Sequence, residues 1–328
     1  MTRPVALTLG DPSGIGGEIA LKAWTALRGR LPFFLIADPV QLAPLAARLG
    51  IPLHPIVAPD EAAATDALAV LPHPLPRPAE PGHPDPANAE AVVAIIARGV
   101  DLVRSGAAAA LCTNPIHKKA LKDGAGFPFP GHTEFLAHLS GAPLPVMMLA
   151  SPMLRVVPIT IHIPLADVSR ALTPDLLEAT LRITESGLRT DFDLPAPRIA
   201  VAGLNPHAGE GGAMGREELE VIAPIIARLS AEGLSLTGPH SADTLFHPAA
   251  RARYDAAVCM YHDQALIPIK TLDFDGGVNV TLGLDFVRTS PDHGTAYDIA
   301  GQGIANPASL IAALELAHTL GARRAGRA

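Results

Sequence analysis

Residues 256–270 read AAVCMYHDQALIPIK, in which the apolar run AAVCM leads directly into the polar cluster YHDQ. An uninterrupted apolar run of this length is typical of a strand that is covered on both faces, as in a parallel sheet. The same pattern occurs in RIAVAGLNPHAGE, residues 198–210, and in VVPITIH, residues 156–162. Because ligands collect beyond the carboxyl ends of parallel strands, these three boundaries are the first candidates for a functional site.

Short apolar runs alternate with longer helical patterns over most of the chain. The predicted buried strands are Val5–Leu9, Phe33–Ala37, Ala108–Cys112, Val146–Ala150, Val156–Ile161, Ile199–Leu204 and Ala256–Met260. Helices are predicted to begin at Thr173 and Asn306, each of which precedes a first-turn proline. The last helix is predicted to stop at Gly321. Strand–helix alternation predicts an α/β fold with a largely parallel sheet, and 328 residues are enough for two lobes.

Composition excludes several classes of protein. With 48% hydrophobic and 17% charged residues the chain is too apolar to be disordered, and its net charge of −7 leaves no basic excess for a nucleic acid. Two cysteines, Cys112 and Cys259, are too few for a disulfide framework or a thiolate zinc site. No apolar stretch approaches the roughly 20 residues of a membrane span, and the N-terminus lacks a signal-peptide core. We therefore expect a soluble cytoplasmic protein with no nucleic-acid or membrane partner.

Two segments are unusual in composition. Seven of the 33 prolines lie between Pro72 and Pro86, which excludes a regular helix and leaves either a stiff surface connection or a partner-binding segment. GDPSGIGGE, residues 10–18, is rich in glycine, but its spacing fits neither a dinucleotide loop nor a phosphate-binding loop with its lysine. We expect instead a tight turn at the active site, whose glycines permit a positive φ or a close backbone approach.

Three histidines, His162, His207 and His262, follow the ends of predicted strands. A single histidine is more often structural than a ligand, but three from comparable strand ends could surround one divalent ion. Three protein ligands leave an open coordination position, which is typical of a catalytic site. Their separations of 45 and 55 residues match no short zinc motif, so the residues alone leave metal binding and a structural role equally open.

Other polar residues are candidates for binding an anion. In GHTEF, Thr133 could cap a helix, or the helix start with its His132 could receive an oxyanion. Lys270, Asn279 and Arg288 lie in or beside the run VNVTLGL, and the two cations stand in apolar, strand-like sequence where an unpaired charge is costly. We expect them to face a cleft and an anion, with Arg288 giving forked recognition of phosphate or carboxylate.

The chain resembles the family of 4-hydroxythreonine-4-phosphate dehydrogenases, enzymes of vitamin B6 biosynthesis. The resemblance runs from about residue 5 to residue 318 and rests on the segments GDPSGIGGE, TNPIHKKAL, FPGHTEF, ITIHIPLADV, GLNPHAGEGGAMGREE, ADTLF, YHDQALIPIK and GVNVTLGLDFVRTSPDHGTAYDIAG. LNPHAGE and YHDQ are the most specific of these. The segment DHGTAYDIAGQGIANP also resembles the nucleotide-binding segment of isocitrate and isopropylmalate dehydrogenases.

The wider fold group implied by this resemblance has two α/β/α lobes with largely parallel sheets and an active-site cleft between them. In this group the first and last parts of the chain share one lobe. We therefore expect residues 1–125 and 275–328 to form the lobe on the nucleotide side. Residues 126–274 are then expected to form the lobe that carries the metal, substrate and dimer contacts.

The family implies oxidation of the 3-hydroxyl of 4-phosphooxy-L-threonine by NAD or NADP, with one divalent metal (zinc, magnesium or cobalt) at each site. The product, 2-amino-3-oxo-4-phosphooxybutanoate, loses carbon dioxide to give 3-amino-2-oxopropyl phosphate on the route to pyridoxal phosphate. In such a reaction the metal acts as a Lewis acid for the substrate hydroxyl, and the nicotinamide accepts the hydride.

The resemblance also implies roles for individual residues. His162, His207 and His262 would bind the metal, with ligands shared across a homodimer. The substrate-binding residues that it implies are His132, Thr133, Lys270, Asn279 and Arg288, and those of the nucleotide site are His293, Gly294, Thr295 and Asn306. Asp243 in ADTLF and Asp263 beside His262 are both candidates for the catalytic base. Either could instead orient a metal-bound imidazole.

Two alternatives stay open. One is a related dehydrogenase of the same fold that acts on 4-phospho-D-threonate or a dihydrodiol carboxylate, because substrate stereochemistry is not legible in one sequence. The other is a non-catalytic protein that binds a phosphorylated metabolite. Such a protein would have no need for three strand-end histidines.

Overall fold

The structure is a computed structural model that describes residues 3–326, and its contacts divide the chain into two compact units. Unit 1 takes in the chain up to Pro145 and again from Leu284, and unit 2 is Val146–Gly283. Both boundaries lie later in the chain than the sequence led us to expect. His132 and Thr133 consequently belong to unit 1 and not to the lobe expected to bind the substrate.

The two units contain these elements. The strands are β1 (Val5–Thr8), β2 (Phe33–Ala37), β3 (Leu53–Pro55), β4 (Leu68–Pro72), β5 (Leu111–Thr113), β6 (Val146–Ala150), β7 (Arg155–Thr160), β8 (Arg198–Ala202), β9 (Ser235–His240), β10 (Ala256–Tyr261), β11 (Val278–Leu282) and β12 (Arg288–Pro291). The helices are α1 (Gly16–Leu27), α2 (Pro39–Leu49), α3 (Ala89–Arg104), α4 (Lys118–Ala125), α5 (His132–Ser140), α6 (Val168–Ala171), α7 (Pro174–Thr190), α8 (Ala223–Ala231), α9 (Pro248–Arg251), α10 (His262–Leu272) and α11 (Ala308–Ala325).

Unit 1 is built on six strands in the order β3-β4-β2-β1-β5-β12, and every neighbouring pair is parallel. All residues of β1 and β2 are buried, as the continuous apolar runs predict. On one face α3 packs its apolar side chains, among them Ile95 and Ile96, against Phe34 and Ile36 of β2. The α/β class predicted from strand–helix alternation is therefore confirmed.

Unit 2 has the strand order β11-β6-β7-β10-β8-β9, in which β7, β10, β8 and β9 are parallel. The pairs β11/β6 and β6/β7 are antiparallel. β6 and β7 are joined by the short link 151–154, in which the Ser151 N–H donates to the Leu154 carbonyl at 2.9 Å. A link of this length can close a hairpin but cannot cross over to a parallel strand, so the antiparallel pairing follows from it.

The predicted helix start at Thr173 is confirmed, whereas the one at Asn306 lies one residue early, because Pro307 is the N-cap of α11. Thr173 Oγ1 accepts the Leu176 N–H at 3.3 Å at the start of α7, and Asn306 Oδ1 accepts the Ala308 N–H at 3.0 Å at the start of α11. No helix within residues 3–326 is both long and apolar enough to cross a membrane.

The predicted end of the last helix at Gly321 is wrong, because α11 continues to Ala325. Gly321 is buried, and a Cβ atom there would lie 2.6 Å from the Ala109 carbonyl oxygen. The glycine therefore serves close packing of the helix on neighbouring backbone.

The glycine-rich turn after β1 has the geometry expected for it. Gly10 has a φ of +77°, and a Cβ on Gly16 would lie 2.1 Å from the Leu9 carbonyl oxygen. The proline-rich segment 72–86 is bonded to this turn, since Ser13 Oγ donates to the His83 carbonyl at 2.9 Å. The segment is thus tied to unit 1.

Candidate active site

The three strand ends selected from the sequence all belong to unit 2. β7, β10 and β8 are neighbouring parallel strands, so their carboxyl ends share one edge of the sheet. His262 is the first residue of α10, directly after β10, and His162 follows β7 with a φ of 53°. His207 follows β8 in the loop Pro206–Gly212. The topology therefore brings residues that are distant along the chain to the same edge.

His162 and His262 form the best-defined pair at this edge. Their ring centroids lie 5.7 Å apart, a separation that suits two imidazoles sharing one ion through metal–nitrogen bonds of about 2 Å. A cavity of about 270 Å³ adjoins both rings, and its other lining residues are Thr160, Ile163, Leu165, Val168, Tyr261 and Asp263. The His262 Nδ1 is hydrogen-bonded to Asp263 Oδ1 at 2.7 Å. That bond fixes the ring and leaves Nε2 for a ligand.

His207 lies in a loop of uncommon backbone geometry. Five consecutive residues, 207–211, have positive φ. The buried carboxylate of Glu218 holds the loop, because its Oε1 accepts two backbone N–H groups of the entering segment at 2.7 Å each. At Gly209 a Cβ atom would lie 2.6 Å from Glu218 Oε2. Non-glycine residues in this conformation are strained, and such strain is typical of functional sites.

The structure pairs two of the three predicted metal ligands, His162 and His262. Within residues 3–326 no group of three or more His, Cys, Asp or Glu side chains could hold a metal ion. The pair of imidazoles and the orienting Asp263 carboxylate have the chemistry that a borderline divalent ion prefers. The three-histidine site stays a prediction, and its third ligand has to come from outside the pair.

Asp243, the other predicted base, is associated with a different histidine. Its Oδ1 accepts a hydrogen bond from the Ser241 hydroxyl at 2.6 Å. That bond is the main reason why the pKa of Asp243 lies below its ordinary value, and the nearby His207 lowers it further. Asp263 therefore accompanies His262, and Asp243 accompanies His207.

Unit 1 carries a second cluster around Arg288, which is 3% exposed. Its Nε and Nη2 donate to Thr113 Oγ1 at 3.2 and 2.7 Å. Burial lowers the pKa of Arg288 to about 10, although the neighbouring Cys112 and Glu134 act in the opposite direction. The guanidinium is still charged at neutral pH, and a desolvated cation attracts an arriving anion strongly.

The N-terminus of α5 belongs to the same cluster. α5 begins at His132 after Gly131, so the alternative that Thr133 caps it is wrong, and Thr133 is the second residue of the helix. His132 Nε2 is buried and has no hydrogen-bond partner among residues 3–326. Burial, followed by the charges of Arg288 and Lys118, holds the pKa of His132 well below its ordinary value. A helix start, a hydroxyl and a cation together can bind an anion.

The two remaining predicted substrate residues, Lys270 and Asn279, lie in unit 2. Lys270 is in the last turn of α10, so the strand-like environment expected for it is wrong, and its Nζ lies 5.7 Å from the Phe274 ring centroid. Asn279 pairs with Leu149 between β11 and β6. Its buried Oδ1 has no hydrogen-bond partner in the described part of the chain. Such an amide oxygen is suited to a donor on a ligand.

The predicted nucleotide residues follow β12 in unit 1. His293 Nε2 is buried without a partner among residues 3–326, and its Nδ1 is hydrogen-bonded to the Gly294 carbonyl at 3.0 Å. The Thr295 carbonyl packs on the glycine-rich turn, where a Cβ on Gly14 would lie 2.9 Å from it. The orphaned nitrogen and this close approach to glycine fit a segment that binds a large polar ligand. Asn306 lies just before α11, and its Oδ1 accepts the Ala308 N–H.

Sequence reasoning missed a polar cluster of Asp11, His117 and Tyr297. Asp11 is buried, and this burial raises its pKa even though the Ser13 N–H, Tyr297 and His117 oppose the shift. The rings of His117 and Tyr297 meet edge to face at 5.3 Å. The sequence signals that could have indicated this cluster were the acidic residue in GDPSG and the tyrosine in DHGTAY. Their wide separation along the chain hid the cluster.

Comparisons with known proteins agree over nearly the full chain. A sequence model of the family described as "Pyridoxal phosphate biosynthetic protein PdxA" matches residues 31–317. The 4-hydroxythreonine-4-phosphate dehydrogenase of Paracoccus denitrificans (strain Pd 1222) is 61% identical over 326 residues, which cover 98% of this chain and 99% of that protein.

Solved structures give the same result. A crystal structure of 4-hydroxythreonine-4-phosphate dehydrogenase from Klebsiella pneumoniae matches with a TM-score of 0.90 and 39% identity, covering 98% of this chain and 100% of that one. A terephthalate 1,2-cis-dihydrodiol dehydrogenase from Burkholderia xenovorans LB400 matches with a TM-score of 0.68 and 29% identity, covering 97% and 98%.

Proposed function

The chain belongs to the PdxA family of pyridoxal phosphate biosynthetic proteins, and from this premise we infer that it is a 4-hydroxythreonine-4-phosphate dehydrogenase. It is an oxidoreductase that oxidises the 3-hydroxyl of 4-phosphooxy-L-threonine. The product, 2-amino-3-oxo-4-phosphooxybutanoate, decarboxylates to 3-amino-2-oxopropyl phosphate. The observation that carries this conclusion is the 61% identity, over 98% of the chain, to a relative named for the reaction.

We assign the substrate phosphate to the cluster around Arg288. This assignment is supported by the buried guanidinium and by the start of α5, whose first two residues are His132, with a buried Nε2 that has no partner among the described residues, and Thr133. A phosphate accepts hydrogen bonds from a guanidinium fork and from a helix N-terminus at once. Lys270 and Asn279 are assigned to the rest of the substrate, for which a point charge and an amide oxygen are suitable partners.

We assign one divalent ion to each site, bound by His162, His207 and His262, with zinc, magnesium and cobalt as candidates. When bound, the ion supplies Lewis-acid stabilisation to the substrate hydroxyl and to the carbonyl formed from it. The Asp263 carboxylate holds the His262 ring for this purpose through its bond to Nδ1. Asp243, beside His207, is then the base that takes the hydroxyl proton.

We further propose that the enzyme is a homodimer whose subunits share metal ligands. The support is that His162 and His262 lie together in one chain while His207 is absent from their cluster. Apolar side chains that line the cavity beside the pair are exposed, Leu165 at 70% and Ile163 at 39%. A second copy would cover them and complete the site.

A dehydrogenase of this kind uses a nicotinamide cofactor, which accepts the hydride. We assign NAD or NADP to unit 1 at the segment that begins after β12, with His293, Gly294, Thr295 and Asn306 as its contacts. The assignment is supported by the unpartnered His293 Nε2 within the described residues and by the glycine turn that packs on Thr295. The cytoplasmic location stays a prediction, and microscopy of a fluorescent fusion tests it.

The proposed function is tested by measuring NADH or NADPH formation by the purified protein with three substrates. We expect turnover of 4-phosphooxy-L-threonine that is lost with a chelator and restored by zinc, magnesium or cobalt. Turnover of 4-phospho-D-threonate or a dihydrodiol carboxylate alone would favour the related-dehydrogenase alternative, which the weaker match to the dihydrodiol enzyme makes the second choice. If the protein reduces neither NAD nor NADP with any of the three substrates, the assignment is overturned.

A further inference from the structure

An ion pair between a buried carboxylate and a partly buried lysine lies on α1, in contact with the segment assigned to the nucleotide. Glu18 is 1% exposed, and Lys22, one turn later, places its Nζ 2.8 Å from Glu18 Oε1. A buried carboxylate is costly unless several donors surround it. The two side chains are called the Glu18–Lys22 clamp below. The family resemblance and the proposed function leave this pair without a role.

The Glu18–Lys22 clamp forms hydrogen bonds with the backbone N–H and C=O groups of both Gly303 and Ala305 in the nucleotide segment. Glu18 Oε1 accepts the Ala305 N–H at 2.8 Å, and Glu18 Oε2 accepts the Gly303 N–H at 3.0 Å. Lys22 Nζ donates to the Gly303 carbonyl at 2.9 Å and to the Ala305 carbonyl at 2.7 Å. Four charge-assisted hydrogen bonds therefore fix residues 303–305.

The clamped stretch is rich in glycine. Gly301 and Gly303 both have positive φ, at +76° and +80°, and glycine offers many alternative conformations. Ala305 immediately precedes Asn306, a residue assigned to the nucleotide. A third contact comes from α2, where Arg48 Nη2 donates to the Gly301 carbonyl at 2.7 Å, but that arginine is exposed.

We propose that Glu18 and Lys22 are positioning residues for NAD or NADP. They do not touch the nucleotide. They hold residues 303–305 in the one arrangement that directs Asn306 at it, so the segment is ordered before the cofactor arrives. Preorganisation of this kind contributes to affinity because binding no longer has to order the loop. This proposal rests on the nucleotide site assigned above.

The test compares Glu18→Gln with the wild type as the full-length enzyme. Glutamine presents an amide NH₂ where one carboxylate oxygen accepts a backbone N–H, and it loses the charge that pairs with Lys22. We expect the Kd of NAD⁺ or NADP⁺, measured by calorimetry without substrate, to rise at least about tenfold. The nucleotide KM should rise equally. The KM for the phosphorylated substrate, and kcat at saturating nucleotide, should change by less than about twofold.

Three further variants separate positioning from general destabilisation. Lys22→Met alone leaves the buried Glu18 carboxylate without its cation, whereas Glu18→Gln combined with Lys22→Met removes both charges of the pair, so stability should recover in the double variant while nucleotide affinity stays low. Arg48→Met removes the exposed contact to the same segment and should change the nucleotide Kd by less than about twofold. Hydrogen exchange at the amides of residues 303 and 305 should accelerate in Glu18→Gln and not in Arg48→Met.

The outcomes distinguish this proposal from the proposed function. If the wild type binds neither nucleotide, the proposed function itself fails. If the wild type binds one nucleotide, and Glu18→Gln and the Glu18→Gln/Lys22→Met double variant bind it as tightly as the wild type, the positioning role is overturned while the function stands. Equal losses of nucleotide affinity, substrate affinity and kcat in the double variant would likewise overturn it, because they would indicate a general structural role.

Discussion

At the scale of single residues, Arg288 shows how burial prepares a side chain for an anion. Its guanidinium has lost almost all contact with water, and burial lowers its pKa to about 10. Thr113 Oγ1 receives two of its donors, which fixes the plane of the fork. A lysine in this position would keep the charge but would offer a compact ammonium in place of the planar fork.

We therefore expect Arg288→Lys to raise the KM for the phosphorylated substrate at least about tenfold, because a charged hydrogen bond contributes about 1.5–3 kcal/mol. The nucleotide KM should be unaffected. Steady-state kinetics with each substrate varied separately measures both. Arg104→Lys is the matched control, since Arg104 is exposed and pairs with Asp285 at 2.9 Å. Unchanged kinetics in Arg288→Lys would mean that Arg288 binds no substrate anion.

His132 gives a pH dependence with a definite sign. Burial, with help from Arg288 and Lys118, holds its pKa well below the ordinary value, so the folded protein keeps the ring neutral. The unfolded chain takes up this proton near pH 6.5, its ordinary pKa. The stability linked to the neutral ring is therefore complete above that pH and is lost as the pH falls toward the folded pKa.

We expect the free energy of unfolding of the wild type to fall between pH 7 and pH 5, and part of this fall to disappear in His132→Gln. The contribution of one such group reaches about 1.4 kcal/mol for each pH unit. Urea unfolding of both proteins at the two pH values measures it. Identical pH dependence in the two proteins would show that His132 titrates normally.

At the scale of elements, local patterns predicted most of the framework. The continuous apolar runs identified β1, β2 and β10, because a strand buried on both faces has few polar residues. The antiparallel β6/β7 pair was missed because hydrophobicity gives no direction, and its direction is set by the four-residue link between the strands.

The candidate site was predictable to a similar extent. The strand ends led to His162 and His262, which the fold brings together because β7 and β10 are neighbours. Local sequence patterns did not reveal the Glu18–Lys22 clamp, because the backbone groups that it binds lie almost at the other end of the chain. Contacts of that sequence separation are determined by tertiary packing, which no local pattern encodes.

Gly321 gives a prediction at this scale, because the glycine serves packing of α11 and not its end. A Cβ atom would lie 2.6 Å from the Ala109 carbonyl, so helix and backbone would have to move apart. We expect Gly321→Ala to lower the free energy of unfolding by about 1–3 kcal/mol. At an exposed helix position the same substitution would instead raise the free energy of unfolding. Chemical denaturation measures the change. Thr319→Ala, at an exposed position of the same helix, should stay within about 0.5 kcal/mol.

At the scale of the whole molecule, the metal site depends on how many chains supply its ligands. One chain pairs two of the predicted ligands, and no third His, Cys, Asp or Glu among residues 3–326 completes the cluster. Three ligands with an open position are the arrangement that a catalytic divalent ion needs. If a second copy supplies the third ligand, each dimer contains two sites, and each of these sites depends on both chains.

Shared ligands make a prediction that a single-chain site does not. His207→Ala and His262→Ala should each be inactive alone, since every site lacks a ligand. When the two variants are unfolded and refolded together in equal amounts, half of the dimers are mixed, and each mixed dimer has one site with all its ligands and one site with two missing. We therefore expect the mixture to recover roughly a quarter of the wild-type, metal-dependent activity. Refolding each variant alone is the control, and no recovery in the mixture would place the ligands in one chain.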